Sequence, residues 1–166
     1  MTIKLISQQG GSGPAHADII PSSDGAGIVL AVGSSVKDYK EGDKVVTHLA
    51  PEIPDDQWPT FADITAGLGQ QKHGTLTQYG VFTQSALVHM PKGPTFAEAC
   101  TLTCSALTAW NALFGLKGRE LTKGDWVLIQ GTGGVSIAAL QVSEHALSQH
   151  IVALKLRSSP SQLAQM

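Results

Sequence analysis

The segment Gly131-Thr132-Gly133-Gly134-Val135-Ser136 constrains this chain more than any other stretch. It follows Trp126-Val127-Leu128-Ile129-Gln130, a run suited to a strand buried on both faces, and leads into Ile137-Ala138-Ala139-Leu140-Gln141, which favours helix. Strand, glycine turn and helix in that order predict a βα unit able to hold a dinucleotide. Gly131 permits the tight turn, and Gly133 lets the backbone approach a pyrophosphate. The new helix aims its free amides and positive dipole end at the anion. Thr132, Gly134, Val135 and Ser136 complete the candidate cofactor-binding turn. The competing reading is a glycine-rich turn that holds no ligand.

Composition narrows the ligand. The 166 residues are 42% hydrophobic and 14% charged, enough apolar content to bury a core. A formal net charge of −2 and a pI of about 6.3 provide no basic surplus for a nucleic acid or an anionic membrane. A small molecule is the partner these numbers allow. No window approaches the roughly 20 apolar residues of a membrane span, and the start Met1-Thr2-Ile3-Lys4-Leu5 lacks a secretory core, so a cytoplasmic location is expected. Cys100 and Cys104 are expected on one buried helical face, unlinked.

Along the chain, residues 1–20 are expected to be disordered, since residues 7–18 are small, polar and glycine-rich. Gly25 to Gly33 and Lys44-Val45-Val46-Thr47 predict two short strands joined by a tight turn at Glu41-Gly42-Asp43. Ala50 to His73 reads as a long loop broken by Pro51, Pro54 and Pro59. Leu76 to Pro91 returns to strand character, and the β-rich part ends near Pro94. Thr95-Phe96-Ala97-Glu98 has the form of a capping box, which predicts helix from there to Phe114, in one piece or two, until Gly115 and Gly118 interrupt it.

Four blocks together, Ser22-Ser23-Asp24-Gly25-Ala26-Gly27 with Ala31-Val32-Gly33, Tyr39-Lys40-Glu41-Gly42-Asp43-Lys44-Val45, Leu107-Thr108-Ala109-Trp110, and Lys123-Gly124-Asp125 through Gln141, resemble the medium-chain dehydrogenase/reductase superfamily. The likeness covers about residues 20 to 141 and is greatest to the zinc-independent branch of alcohol-dehydrogenase-like and quinone-oxidoreductase-like proteins. It implies an α/β fold class: residues 21–94 as a partial GroES-like β-barrel catalytic domain, and residues 95–166 as the first part of a Rossmann NAD(P)-binding domain. It further implies hydride transfer between a nicotinamide and a carbonyl, alkene, quinone or alcohol. Thr108 matches the family's Thr-Ala step at the nicotinamide end. Its hydroxyl could equally bond back to its own helix.

The departures are equally informative. Zinc-dependent members carry a His-Glu pair where this chain has Ser23 and Asp24, and two cysteines cannot build a four-cysteine site, so no metal is expected. Tyr79 and His48 can donate protons, but no motif places either over a substrate, and the catalytic acid stays unassigned. The chain is short against the family pattern at both ends, as a truncated gene model, a splice variant or a degraded paralogue would be. The strands through which the family commonly dimerises would then be missing, and exposed sheet edges would make the chain poorly soluble.

Two functions follow, an NAD(P)H-dependent oxidoreductase in truncated form or a non-catalytic remnant that binds a nucleotide or a partner without turnover. About twenty residues after the glycine turn, where NAD-selective domains place an acid, the sequence reads Lys155-Leu156-Arg157-Ser158-Ser159. Arg157 and Ser158 would suit a 2′-phosphate, which favours NADP, with NAD the second choice. The competing reading makes Arg157 a solvated loop residue.

Overall fold

The computed structural model describes residues 18–53, 57, 60–145 and 150–154. The expectation of disorder for residues 1–17, together with Arg157 and Ser158, lies outside the described residues. Contacts divide the chain into two units, Met1–Cys104 and Ser105–Met166.

In the first unit, β1 (Ala26–Ile28), β2 (Lys44–Thr47) and β3 (Leu87–His89) form an antiparallel sheet in that order. Ala26 pairs with Val46, and Val46 with Val88. β2 lies between the other two, so Val45, Val46 and Thr47 are the buried residues of the sheet. Short β-branched side chains pack well in such a central strand. The turn before β2 forms as the sequence predicts: Gly42 takes φ +88, and the Lys40 amide donates to Asp43 Oδ2 at 2.9 Å. This turn does not join β1 to β2 directly. β1 stops at Ile28 and an irregular excursion intervenes, although Val29 and Asp43 still exchange a backbone bond of 2.9 Å.

Three further expectations need correction. Ile20 lies in the stretch expected to be disordered, but its amide donates to His73 Nδ1 at 3.2 Å and its carbonyl accepts from the Gly74 amide at 2.7 Å. The Ala50–His73 stretch contains a one-turn helix, α1 (Phe61–Thr65), started by reciprocal bonds between Thr60 and Asp63, and it buries Leu68. Residues 76–83 are irregular rather than strand, with Tyr79 and Val81 exposed, and regular pairing resumes only at β3.

The capping box at Thr95 is present, with the Glu98 amide donating to Thr95 Oγ1 and the Thr95 amide donating to Glu98 Oε2 at 2.8 Å. It starts α2 (Phe96–Ala99), and the helical region resumes as a π turn, Leu102–Ala106, that runs into α3 (Leu107–Phe114). The expected buried cysteine face does not form. Cys100 is half-buried and bonded to the Ala97 carbonyl, while Cys104 is exposed. The wider π turn that contains Cys104 breaks the α-helical phase that would stack positions four apart.

In the second unit, a turn with Gly124 at φ +95 leads into β4 (Trp126–Gln130), which pairs in parallel with β5 (His150–Leu154). α4 (Gly134–His145) connects them and packs against β4 and α3. β4 is buried on one face only: Val127 and Ile129 are buried, but Trp126 is 72% and Leu128 58% exposed. α4 covers the first face, and among the described residues nothing covers the second. Trp126 instead stacks on His150, with ring centroids 4.4 Å apart. No helix of the described residues is long and apolar enough to cross a membrane.

Among the described residues, three Thr-carboxylate pairs share one form: Thr60 with Asp63, Thr95 with Glu98, and Thr122 with Asp125. The hydrogen bonds from each threonine hold the partner carboxyl below its ordinary pKa. A carboxylate lowered on folding adds stability that is complete above its unfolded pKa and is lost as pH falls through the folded value. Thermal melts from about pH 6 to about pH 3 are therefore expected to shift downward below about pH 4. The double variant Thr95→Ala/Thr122→Ala removes the hydroxyl donors but keeps the backbone amide donors, so it should flatten that fall only in part, and a steeper fall would count against the assignment.

Candidate nucleotide site

Each residue of the glycine turn has a distinct local task. Gly131 follows the last residue of β4 and takes φ +87, a conformation that favours glycine, so the chain reverses immediately after the strand. Gly133 caps α4: its carbonyl accepts from the Ile137 amide at 3.0 Å, and a Cβ built on it would meet nothing within 4 Å. Thr132, Gly133, Gly134 and Val135 are all exposed. The first amides of a twelve-residue helix therefore face an unobstructed surface, which is the arrangement that holds phosphate.

Two features of this turn escape sequence reading. Ser136 is pinned by a 2.9 Å bond from its hydroxyl to the Gln130 carbonyl, which closes the turn at its base. Gly134 lies against Ser105, where an added Cβ would come within 2.8 Å of the serine hydroxyl. That contact brings the start of α3 to the start of α4, with Thr108 exposed on α3. The sequence signal was the third glycine, but its neighbour lies far away along the chain.

In the first unit the residues at the zinc-ligand positions form a closed hydrogen-bonded group. Ser23 Oγ donates to Asp24 Oδ1 at 2.6 Å, Thr47 Oγ1 donates to the Ser23 carbonyl at 2.6 Å, and Thr75 Oγ1 donates to the Asp24 carbonyl at 2.9 Å. Ser22, just before them, is held in the left-handed region at φ 75. Although the Cys104 residue as a whole is exposed, desolvation of its thiol followed by the nearby Asp24 carboxylate raises its pKa above the usual value. A serine hydroxyl and a carboxylate already engaged by it stand where zinc would take an imidazole and a free carboxylate, so these two positions do not fit the ion. Among the described residues no cluster of three His, Cys, Asp or Glu side chains is placed to hold a metal.

The candidate proton donors are likewise occupied or exposed. The His48 ring contacts the Ser85 carbonyl, and Tyr79 is 75% exposed. Tyr39, named from sequence only as the start of a family block, donates to the Leu87 carbonyl at 2.5 Å, and burial followed by Asp38 and Asp43 raises its pKa. No catalytic acid emerges among them.

Residues 3–92 match the alcohol dehydrogenase GroES-like domain. The chain belongs to the medium-chain dehydrogenase/reductase superfamily. It is 44% identical over 128 residues to a zinc-type alcohol dehydrogenase-like protein of Schizosaccharomyces pombe, a match covering 77% of this chain and 37% of that one. It is 31% identical to a chloroplastic NADPH-dependent alkenal/one oxidoreductase of Arabidopsis thaliana, covering 81% of this chain and 31% of that one. A solved alcohol dehydrogenase-type structure from Sinorhizobium meliloti 1021 superposes with TM-score 0.80 at 36% identity, over 96% of this chain and 46% of that chain. The chain thus spans less than half the length of these superfamily members. Its fold is the superfamily's α/β type, part GroES-like and part the beginning of a Rossmann unit.

Proposed function

We propose that this chain is the nicotinamide-binding and catalytic-domain portion of an NAD(P)H-dependent oxidoreductase acting on a small carbonyl, alkene, quinone or alcohol. The observation that carries this reading is the turn after β4, with Gly131 at φ +87 and open space around Gly133 at the start of α4. A bound nicotinamide would supply the hydride chemistry. The chain's part is to hold and orient it. The amides from Gly131 through Ser136 would receive the pyrophosphate, and Thr108 on α3 would reach the nicotinamide end. The relatives' printed activities, on alcohols and on alkenals or enones, support the substrate class. Titrating NADPH into the full chain by nucleotide fluorescence, then assaying turnover with an enone, a quinone and an alcohol, tests the reading. Absence of saturable binding would overturn it.

The preferred cofactor in this proposal is NADP, on the strength of Arg157 and Ser158 and the lack of an acid nearby. Arg157→Ala is expected to weaken NADPH binding by about ten- to a hundredfold while leaving NADH unchanged, since a charge-assisted bidentate contact is worth about 1.5–3 kcal/mol. Tighter NADH than NADPH binding by the parent would refute the preference. The reaction is proposed to be zinc-independent, given the Ser23-Asp24 group. Elemental analysis after dialysis against zinc is expected to find less than one tightly held zinc per chain, and a stoichiometric ion would reverse the reading.

A second reading, binding without turnover, draws on the uncovered face of β4 at Trp126 and Leu128. Saturable NADPH binding with no turnover on any substrate would favour it.

A further inference from the structure

Of the three glycines in the turn after β4, Gly134 is the one that abuts another element. A Cβ built on Gly133 meets nothing within 4 Å, and one built on Gly131 meets the Ser136 hydroxyl at 3.9 Å. On Gly134 it would lie 2.8 Å from Ser105 Oγ and 3.4 Å from Ser105 Cβ. Ser105 is half-buried in the π turn Leu102–Ala106, directly before α3. The close approach continues along the helices: α3 packs on α4, and the buried residues of each are small, Ala109 on α3 and Ala138 and Ser143 on α4. Side-chain size at such a contact sets the distance between the two helix axes.

We propose that Ser105 is a positioning residue: its small side chain, seated against Gly134, fixes the separation of Thr108 from the glycine turn, and with it the span over which a dinucleotide can be held at both ends. This role rests on the nicotinamide reading above, in which the pyrophosphate lies on the turn and the nicotinamide near Thr108. A ligand held at two ends gains affinity over either half only when its length matches the distance between the two subsites. A larger side chain at position 105 presses on the first turn of α4 and moves its amides away from α3 as a body. The adenosine half of the cofactor, which meets the turn alone, keeps its contacts. The whole dinucleotide loses its grip at one end.

The test titrates the full chain with NADPH and with 2′,5′-ADP, the adenosine half of the same cofactor. Ser105→Leu is expected to weaken NADPH binding by about tenfold or more and 2′,5′-ADP binding by less than about twofold. Ser105→Ala adds no atom to the contact and should leave both ligands within about twofold of the parent. Gly134→Ala should weaken NADPH with the same selectivity, and adding Ser105→Gly to it should restore binding, because that change removes both atoms the new methyl group meets. Circular dichroism identifies which variants fold, and the double variant, free of the clash, decides the matter if Ser105→Leu does not fold. Unchanged NADPH affinity in Ser105→Leu, an equal loss of both ligands, a loss of NADPH binding in Ser105→Ala, or failure of Ser105→Gly to rescue Gly134→Ala would each overturn the role of Ser105 while leaving the nicotinamide reading intact. A parent chain that binds neither ligand would overturn both.

Discussion

Gly74→Ala is expected to destabilise the first unit by about 3 kcal/mol or more, enough to unfold a marginal domain. A Cβ at that position would lie 1.9 Å from the Ser22 carbonyl oxygen and 2.6 Å from that of Pro21. Both obstacles are backbone, so no rotamer change relieves them. Nor can the two strands of chain simply part. The Gly74 amide donates to the Ile20 carbonyl at 2.7 Å, the Thr75 amide to Ser22 at 2.9 Å and the Leu76 amide to Pro21 at 3.1 Å. Separation by the ångström or more that a methyl group requires would break this ladder and release Ser22 from its left-handed conformation. Gly33→Ala is the control, because a Cβ there meets nothing within 4 Å and Gly33 does not adopt positive φ. It should change stability by no more than about 0.5 kcal/mol. Chemical denaturation followed by far-ultraviolet circular dichroism measures both. A Gly74→Ala protein as stable as the parent would show that the close approach of these two segments is not part of the native fold.

Gly133→Asp is expected to separate fold from ligand binding. The position has open space and no positive φ, so a side chain is accommodated. It also caps α4, where aspartate is among the preferred residues, and helix stability should hold or rise by up to about 1 kcal/mol. The new carboxylate would occupy the helix N-terminus that the proposed cofactor's pyrophosphate needs, and it would repel that anion at short range. NADPH affinity should fall by about a hundredfold or more while the melting temperature stays level or increases. Retained binding would exclude this turn as the nucleotide site. Loss of folding would instead indicate that the space around Gly133 serves packing.

The elements legible in the sequence were those governed by neighbouring residues. The Thr95–Glu98 box, the Gly42 turn and the order of β4, glycine turn and α4 all rest on local chemistry, and each is present. What escaped depends on distant partners. β4 looked doubly buried because Trp126-Val127-Leu128-Ile129 is uniformly apolar, yet its burial is set by whether something lies over each face. Residues 76–83 have strand composition, but a strand needs a partner to exchange bonds with. The cysteine spacing assumed a regular α-helix and was overturned by the π turn at Leu102–Ala106. In the candidate site, the sharp turn at Gly131 was readable from its type and position. The contact of Gly134 with Ser105 and the bond from Ser136 to Gln130 required the fold.

The Ser136–Gln130 bond also bears on how quickly a ligand can be received. It joins the first turn of α4 to the end of β4, so the glycine loop is anchored at both ends before anything binds. A loop free to wander would have to be ordered on each encounter, and the lost entropy would appear as weaker affinity or a slow step after collision. An anchored loop presents its amides in place from the outset. Association should then be a single second-order step whose rate rises linearly with ligand concentration, with selectivity expressed in how long the complex lasts.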